Sequence, residues 1–188
     1  MSSPAPRPGL RERVAAAIVE AAAAVIAEHG EAASMSEVAS AAGVARATLY
    51  RYFPNRDALL EALGSFAVHE AGEGLAAARL HEVAIEEAFA RAVRALVVVG
   101  DYFVVLARER ARVAPVEFDQ RVGGVLLALL ERGRGLGEIR QDVPAIWLAE
   151  TLIGVIVSVL GAGSSAGIED KVDAITSLFL DGARAGPT

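Results

Sequence analysis

Cysteine is absent from the 188 residues. That excludes disulfides, thiolate catalysis and cysteine-ligated zinc, and it fits a reducing interior. Histidine is scarce. His29, His69 and His81 stand far apart and offer no H-x-x-x-H metal spacing. No G-x-S-x-G nucleophile motif occurs. Glu86-Glu87 and Glu169-Asp170 are adjacent pairs, better suited to the first turns of helices than to acid/base work. No catalytic residue, metal or cofactor is therefore expected, and the protein is not expected to be an enzyme. The N-terminal stretch "MSSPAPRPGLRER" lacks the apolar core of a signal peptide. Residues 1–10 are expected to form a disordered arm, and the protein to be cytoplasmic.

An excess of positive charge is lacking too. The formal net charge is −6, which argues against a surface that coats nucleic acid all over. The charge is unevenly spread. Residues 1–60 balance six arginines against six acids, so the whole deficit lies beyond them. A neutral segment can still carry a basic face if its arginines cluster.

Strand alternation and internal repeats are also missing. Hydrophobic residues make up 54% of the chain and charged residues 22%, so a core can form. Nearly everything reads as helix. Val14, Ile18, Ala22 and Val25 form a helical stripe over 11–29. Ser34-x-x-Glu37 is a capping-box pattern that starts a short second helix. Gly43 ends it, and a third helix spans about 45–52 until Pro54 stops it. Asn55 caps a fourth, running to about Arg79. Further helices are expected over 86–99, from an Asp101 N-cap onward, from Pro115 to about Arg132, over 143–160 and over 169–184. The clearest loop is Gly133 to Pro144.

Two decoys lie in one region. The run from Val143 to Gly163 is long enough for a membrane span of about 20 residues. Glu150 interrupts it, at a cost near mid-bilayer of ~3 kcal/mol, and a buried helix is the better reading; no membrane partner is expected. Gly161, Gly163 and Ala166 mimic a dinucleotide fingerprint, with Asp181 beyond. Only seven residues follow Asp181, too few to complete a sheet.

The stretch "GVARATLYRYFPNRDALL" gathers three arginines and three aromatics. With Val44, Leu49 and Phe53 facing inward against Val38 and Ala39, two short helices cross as a helix-turn-helix. Arg46, Ala47, Thr48, Tyr50, Arg51 and Tyr52 are then left facing outward. Arginine can bind guanine O6 and N7, hydroxyls can reach phosphates, and the Ala47 methyl can meet a thymine methyl. Arg56, in the first turn of the next helix, opposes the helix dipole and is expected to reach out to a phosphate.

The segment from Ser34 to Leu63 resembles the helix-turn-helix of TetR-family transcriptional regulators. The matching features are the A-G-V turn, the T-L-Y-x-Y-F helix and the R-D-x-L-L that follows. Ala45 departs from the family's usual Ser or Thr cap. The resemblance implies an all-α fold of about nine helices: a helix-turn-helix domain over 11–57, then an effector-binding and dimerisation domain over 58–188. It implies double-stranded DNA as a partner. Arg46, Ala47, Thr48 and Arg51 would lie near base edges. Tyr50, Tyr52 and Arg56 would hold the backbone, with Ser34 beside them. Arg7, Arg11 and Arg13 would assist from the arm.

A homodimer is expected through the last two helices. Ile153, Ile156, Val157 and Leu160 lie on one, and Val172, Ile175, Leu178 and Phe179 on the other. The resemblance also implies a pocket for a small apolar or amphipathic effector. Phe66, His69, Phe89, Tyr102, Phe103, Phe118 and Trp147 are available to line it. For each alone, core packing serves as well. The expectation is thus a ligand-responsive regulator, a repressor on a palindromic operator. The competing expectation is a ligand-binding helical protein or enzyme with a vestigial motif.

Overall fold

Each short helix of the N-terminal third starts or stops where local chemistry dictates. A computed structural model describes residues 9–108, 118–162 and 166–185. Among them stand nine α-helices and no β-strand. They are α1 (Leu10–His29), α2 (Met35–Ala41), α3 (Arg46–Tyr52), α4 (Arg56–Ala77), α5 (Ile85–Val98), α6 (Gly100–Arg108), α7 (Gly124–Gly135), α8 (Ala145–Gly161) and α9 (Ile168–Ala183). A π-helical turn, Asp119–Gly123, leads into α7. The expected start at Pro115 lies outside the described residues.

Several ends differ from expectation for packing reasons. Asp101 does not cap α6. The helix begins one residue earlier, at Gly100, which lies against α8; a Cβ there would come within 2.0 Å of Leu160 Cδ1. Gly133 does not open a loop. It stays in α7, where a Cβ would lie 2.5 Å from Ile139 Cγ1 of the returning chain. The suspected membrane span and dinucleotide strand are both α8. Among the described residues no helix is long and apolar enough to cross a membrane.

Two cores result. The first gathers Ile18, Val19, Ala22 and Ile26 of α1 with Val38, Ala39, Leu49 and Phe53. It also draws Leu59, Leu60 and Leu63 from α4, and Val105 and Leu106 from α6. The N-terminal core therefore reaches beyond the boundary expected at residue 57. The second packs Phe89 and Val93 of α5, Leu126 and Leu130 of α7, Leu152 and Ile156 of α8, and Val172, Ile175 and Phe179 of α9. Tyr102 and Phe103 of α6 pack against both.

The chain between α7 and α8 clips the end of α9. Arg140 N donates to Ala183 O (2.9 Å) and Ala185 N to Glu138 O (3.0 Å). The Arg140 guanidinium adds Gly182 O (2.9 Å) and a two-pronged contact to the Asp142 carboxylate (2.8 and 2.7 Å). Those contacts from Arg140 hold the Asp142 carboxyl down at about 2, below its ordinary 3.8. A depressed folded-state pKa adds stability above the unfolded value, and that stability is lost as pH falls through the folded one. Wild type is accordingly expected to lose more stability than Asp142→Asn between about pH 4 and pH 2. Denaturation midpoints measured across that window check it. Identical pH profiles would show that the pair contributes nothing.

Candidate nucleic-acid interface and ligand region

The face that would meet DNA is built on two caps and one glycine. Glu37 N donates to Ser34 Oγ (3.2 Å), while Ser34 N and Oγ both donate to the Glu37 carboxylate (2.7 and 2.8 Å). The same bonds from Ser34 lower the Glu37 pKa. This closed box starts α2. It also corrects the expectation for Ser34, whose hydroxyl hydrogen is used inside the chain. Gly43 then takes a left-handed φ of 66°, which a glycine adopts without penalty. Val44 N bonds back to Ala39 O (3.0 Å), closing the turn between α2 and α3.

Leu49 is fully buried and Phe53 is buried beneath α3, which fixes the helix's outer side. Arg46, Ala47, Tyr50 and Arg51 are exposed there, with Thr48 and Tyr52 half-buried. Ala45 caps the helix without a side-chain bond. Rings, not carboxylates, hold the two guanidinium groups. Arg46 lies 5.6 Å from the Tyr50 ring centre, and Arg51 lies 5.7 Å from that of Tyr52. Such contacts leave cationic edges available to an anion.

Arg56 corrects another expectation. Its guanidinium donates to Ala33 O (2.6 Å) and Gly30 O (3.2 Å), carbonyls of the turn between α1 and α2. It stitches the start of α4 to that turn. Those two carbonyl oxygens accept from the guanidinium as phosphate oxygens would.

Four of the seven expected pocket residues meet in two pairs. Phe66 meets Tyr102 edge-on (5.4 Å between centres), and Phe103 meets Phe118 likewise (6.3 Å). All four are half-buried. Burial first, and then the charges of Glu20, Glu70 and Asp101, raise the Tyr102 pKa. The other three are corrections. Phe89 is 0% exposed and packs on Phe179 (5.3 Å) in the second core. His69 is exposed, and Trp147 is 60% exposed on α8.

The expected dimer residues also divide. Ile156, Val172, Ile175 and Phe179 are buried within the single chain, because α5 and α7 cover that side of α8 and α9. They cannot also meet a second copy. Ile153, Val157 and Leu160 are half-buried, and Leu178 is 65% exposed. The outer side of α8 carries Trp147, Thr151, Gly154 and Ser158, with Ile146 at its edge. Sequence reasoning missed this row, although counting in threes and fours from Trp147 finds it.

A three-helix head that turns an arginine- and tyrosine-bearing helix outward, joined to a second body that is helical among the described residues, defines a helix-turn-helix protein. Residues 18–63 match the tetR family of bacterial regulatory proteins. The HTH-type transcriptional repressor LfrR of Mycolicibacterium smegmatis is 49% identical over 63 residues, which are 34% of this chain and 33% of LfrR. The match thus spans about a third of that repressor's length. The crystal structure of LfrR from Mycobacterium smegmatis in complex with proflavine superposes with a TM-score of 0.77 at 25% identity, covering 94% of this chain and all of that one. The fatty acid degradation regulator FadR of Bacillus halodurans shares the fold (TM-score 0.71, 23% identity, 94% and 98% covered). Residues 18–63 thus carry a tetR-type helix-turn-helix, and the chain as a whole shares the fold of these regulators.

Proposed function

We propose that the protein is a ligand-responsive transcriptional repressor that grips a palindromic operator as a homodimer. A small apolar or amphipathic effector releases it. The carrying observation is the outer side of α3, where Arg46, Tyr50 and Arg51 form an exposed cationic and aromatic surface above a buried Leu49. In this reading Arg46 and Ala47 meet base edges, and Tyr50 and Tyr52 meet phosphates.

The half-buried set Phe66, Tyr102, Phe103 and Phe118 is the effector region in this reading. Apolar lining with one phenol suits a ligand of the proposed kind. That the related LfrR has been crystallised with proflavine supports an aromatic effector. A ligand that binds better to one spacing of the two heads shifts the population toward it. An unfavourable spacing takes the paired α3 helices out of register with the groove.

The dimer surface is proposed on the outer sides of α8 and α9, around Trp147, Gly154 and Leu178. Leu178→Asp is expected to raise the dimer dissociation constant by about 100-fold or more, since a charge would be buried without a partner. Sedimentation equilibrium reads this directly, and an unchanged association state would place the interface elsewhere. The class as a whole is tested by selecting bound duplexes from a random pool. Inverted half-sites about one helical turn apart are expected. Recovery of no common sequence would remove the operator reading.

A further inference from the structure

The end of α4 remote from the head borders an open cleft of about 280 Å³. The turn Leu80–Glu82 and helix α7 complete it. Leu75, Val125 and Leu129 give it an apolar lining, and the exposed methyls of Ala76 and Ala128 stand beside them. Its polar side chains are Arg79, His81 and Arg132, and among the described residues no acid lines it. The chain as a whole carries a net charge of −6, so this local excess of cations runs against the rest of the surface. Arg132 stands out. Its terminal nitrogens donate to Leu80 O (2.7 Å) and Val83 O (3.0 Å). Its Nε is buried without a hydrogen-bond partner, and among the described residues no carboxylate pairs with it. A cation shielded from water is normally matched by an opposite charge.

Arg79 adds a second, independent observation. It takes a left-handed backbone conformation, φ 50° and ψ 48°, that glycine would adopt without penalty. Its guanidinium turns one edge to the Glu82 carboxylate (Nε to Oε1 2.8 Å), and His81 Nε2 lies 3.5 Å from the same oxygen. Pairs this exposed add little stability, so they do not account for an arginine at a strained position. They do show which chemistry this rim accepts: a carboxylate between a guanidinium and an imidazole. The other edge of the Arg79 fork remains to receive a second one. We infer that this cleft binds a small amphipathic carboxylate, its short alkyl chain against Leu75, Val125 and Leu129 and its headgroup held by Arg79 and His81 in the field of Arg132. The volume lies just below the ~300 Å³ at which pockets for drug-sized ligands begin, which suits a short chain. None of Phe66, Tyr102, Phe103 and Phe118 lines this cleft, so it is a site apart from the effector region proposed above and stands independently of the DNA reading.

The test is calorimetric titration of the full chain, without DNA, with sodium octanoate. One saturable site per protomer is expected. Octanol has the chain without the charge, and acetate the charge without the chain. Each is expected to bind more weakly by about tenfold or more. Arg79→Gln keeps a long polar side chain and removes the cation, and is expected to weaken octanoate about tenfold, the loss of one charge-assisted hydrogen bond. Ala128→Glu sets a carboxylate at the edge of the cleft and is expected to abolish binding by repulsion and by filling. Both residues are exposed, so neither change touches the core, and melting curves of the two variants check that they fold. Absence of saturable binding overturns the site. Octanol binding as tightly as octanoate overturns the role of the cations, and acetate doing so overturns that of the apolar lining. Unchanged octanoate affinity in Arg79→Gln or in Ala128→Glu places the ligand elsewhere on the chain and overturns the assignment to this cleft.

Discussion

Alanine at both Arg46 and Arg51 is expected to weaken operator binding by more than about 100-fold, each lost contact to a base or phosphate being worth roughly 1–3 kcal/mol. Thermal stability should hardly change. Both side chains are exposed, and each rests on a tyrosine ring at 5.6 or 5.7 Å. An exposed contact of that kind contributes only about 0.5–1 kcal/mol. Electrophoretic mobility shift or fluorescence anisotropy, paired with a melting curve, separates the two effects. Arg46→Ala alone is expected to blur preference at one position of each half-site. Wild-type affinity in the double variant would mean that this side of α3 does not face DNA.

Phe89→Ala is expected to cost about 3–5 kcal/mol of folding stability, the usual range for deleting a fully enclosed phenylalanine. The ring is wholly shielded from solvent and packs 5.3 Å from Phe179, tilted by 48°. It links α5 to α9, so its loss opens a void between two helices that otherwise touch along their lengths. Urea unfolding at equilibrium gives the value. A loss below about 1 kcal/mol would indicate a site that already tolerates empty space, which is how a ligand chamber behaves and a close-packed core does not.

The N-terminal head was readable because its signals act over a few residues. A Ser and a Glu three apart close a cap, a glycine reverses the chain after α2, and Pro54 and Asn55 separate α3 from α4. None of these depends on distant parts of the chain. The last two helices were harder. In α8 apolar residues occur on every side, so periodicity could not tell the side covered by α7 from the side left open. Val172, Ile175 and Phe179 form a clean stripe, but a stripe alone does not say whether α5 or a second copy covers it. Arg56 was misjudged for a related reason. The local dipole argument points its charge outward, yet carbonyls more than twenty positions earlier in the chain lie within reach. Contacts between remote segments decide such cases, and no short window contains them.

Helix α6 belongs to both cores, with Val105 and Leu106 packed beneath the head and Tyr102 and Phe103 lying across the seam. A hybrid made by grafting another relative's first fifty-odd residues onto this trunk would thus inherit a mismatched wall. To transplant recognition from one scaffold to another, the surgeon's cut must follow the shared sidewall, taking these α6 positions along with the donor's head.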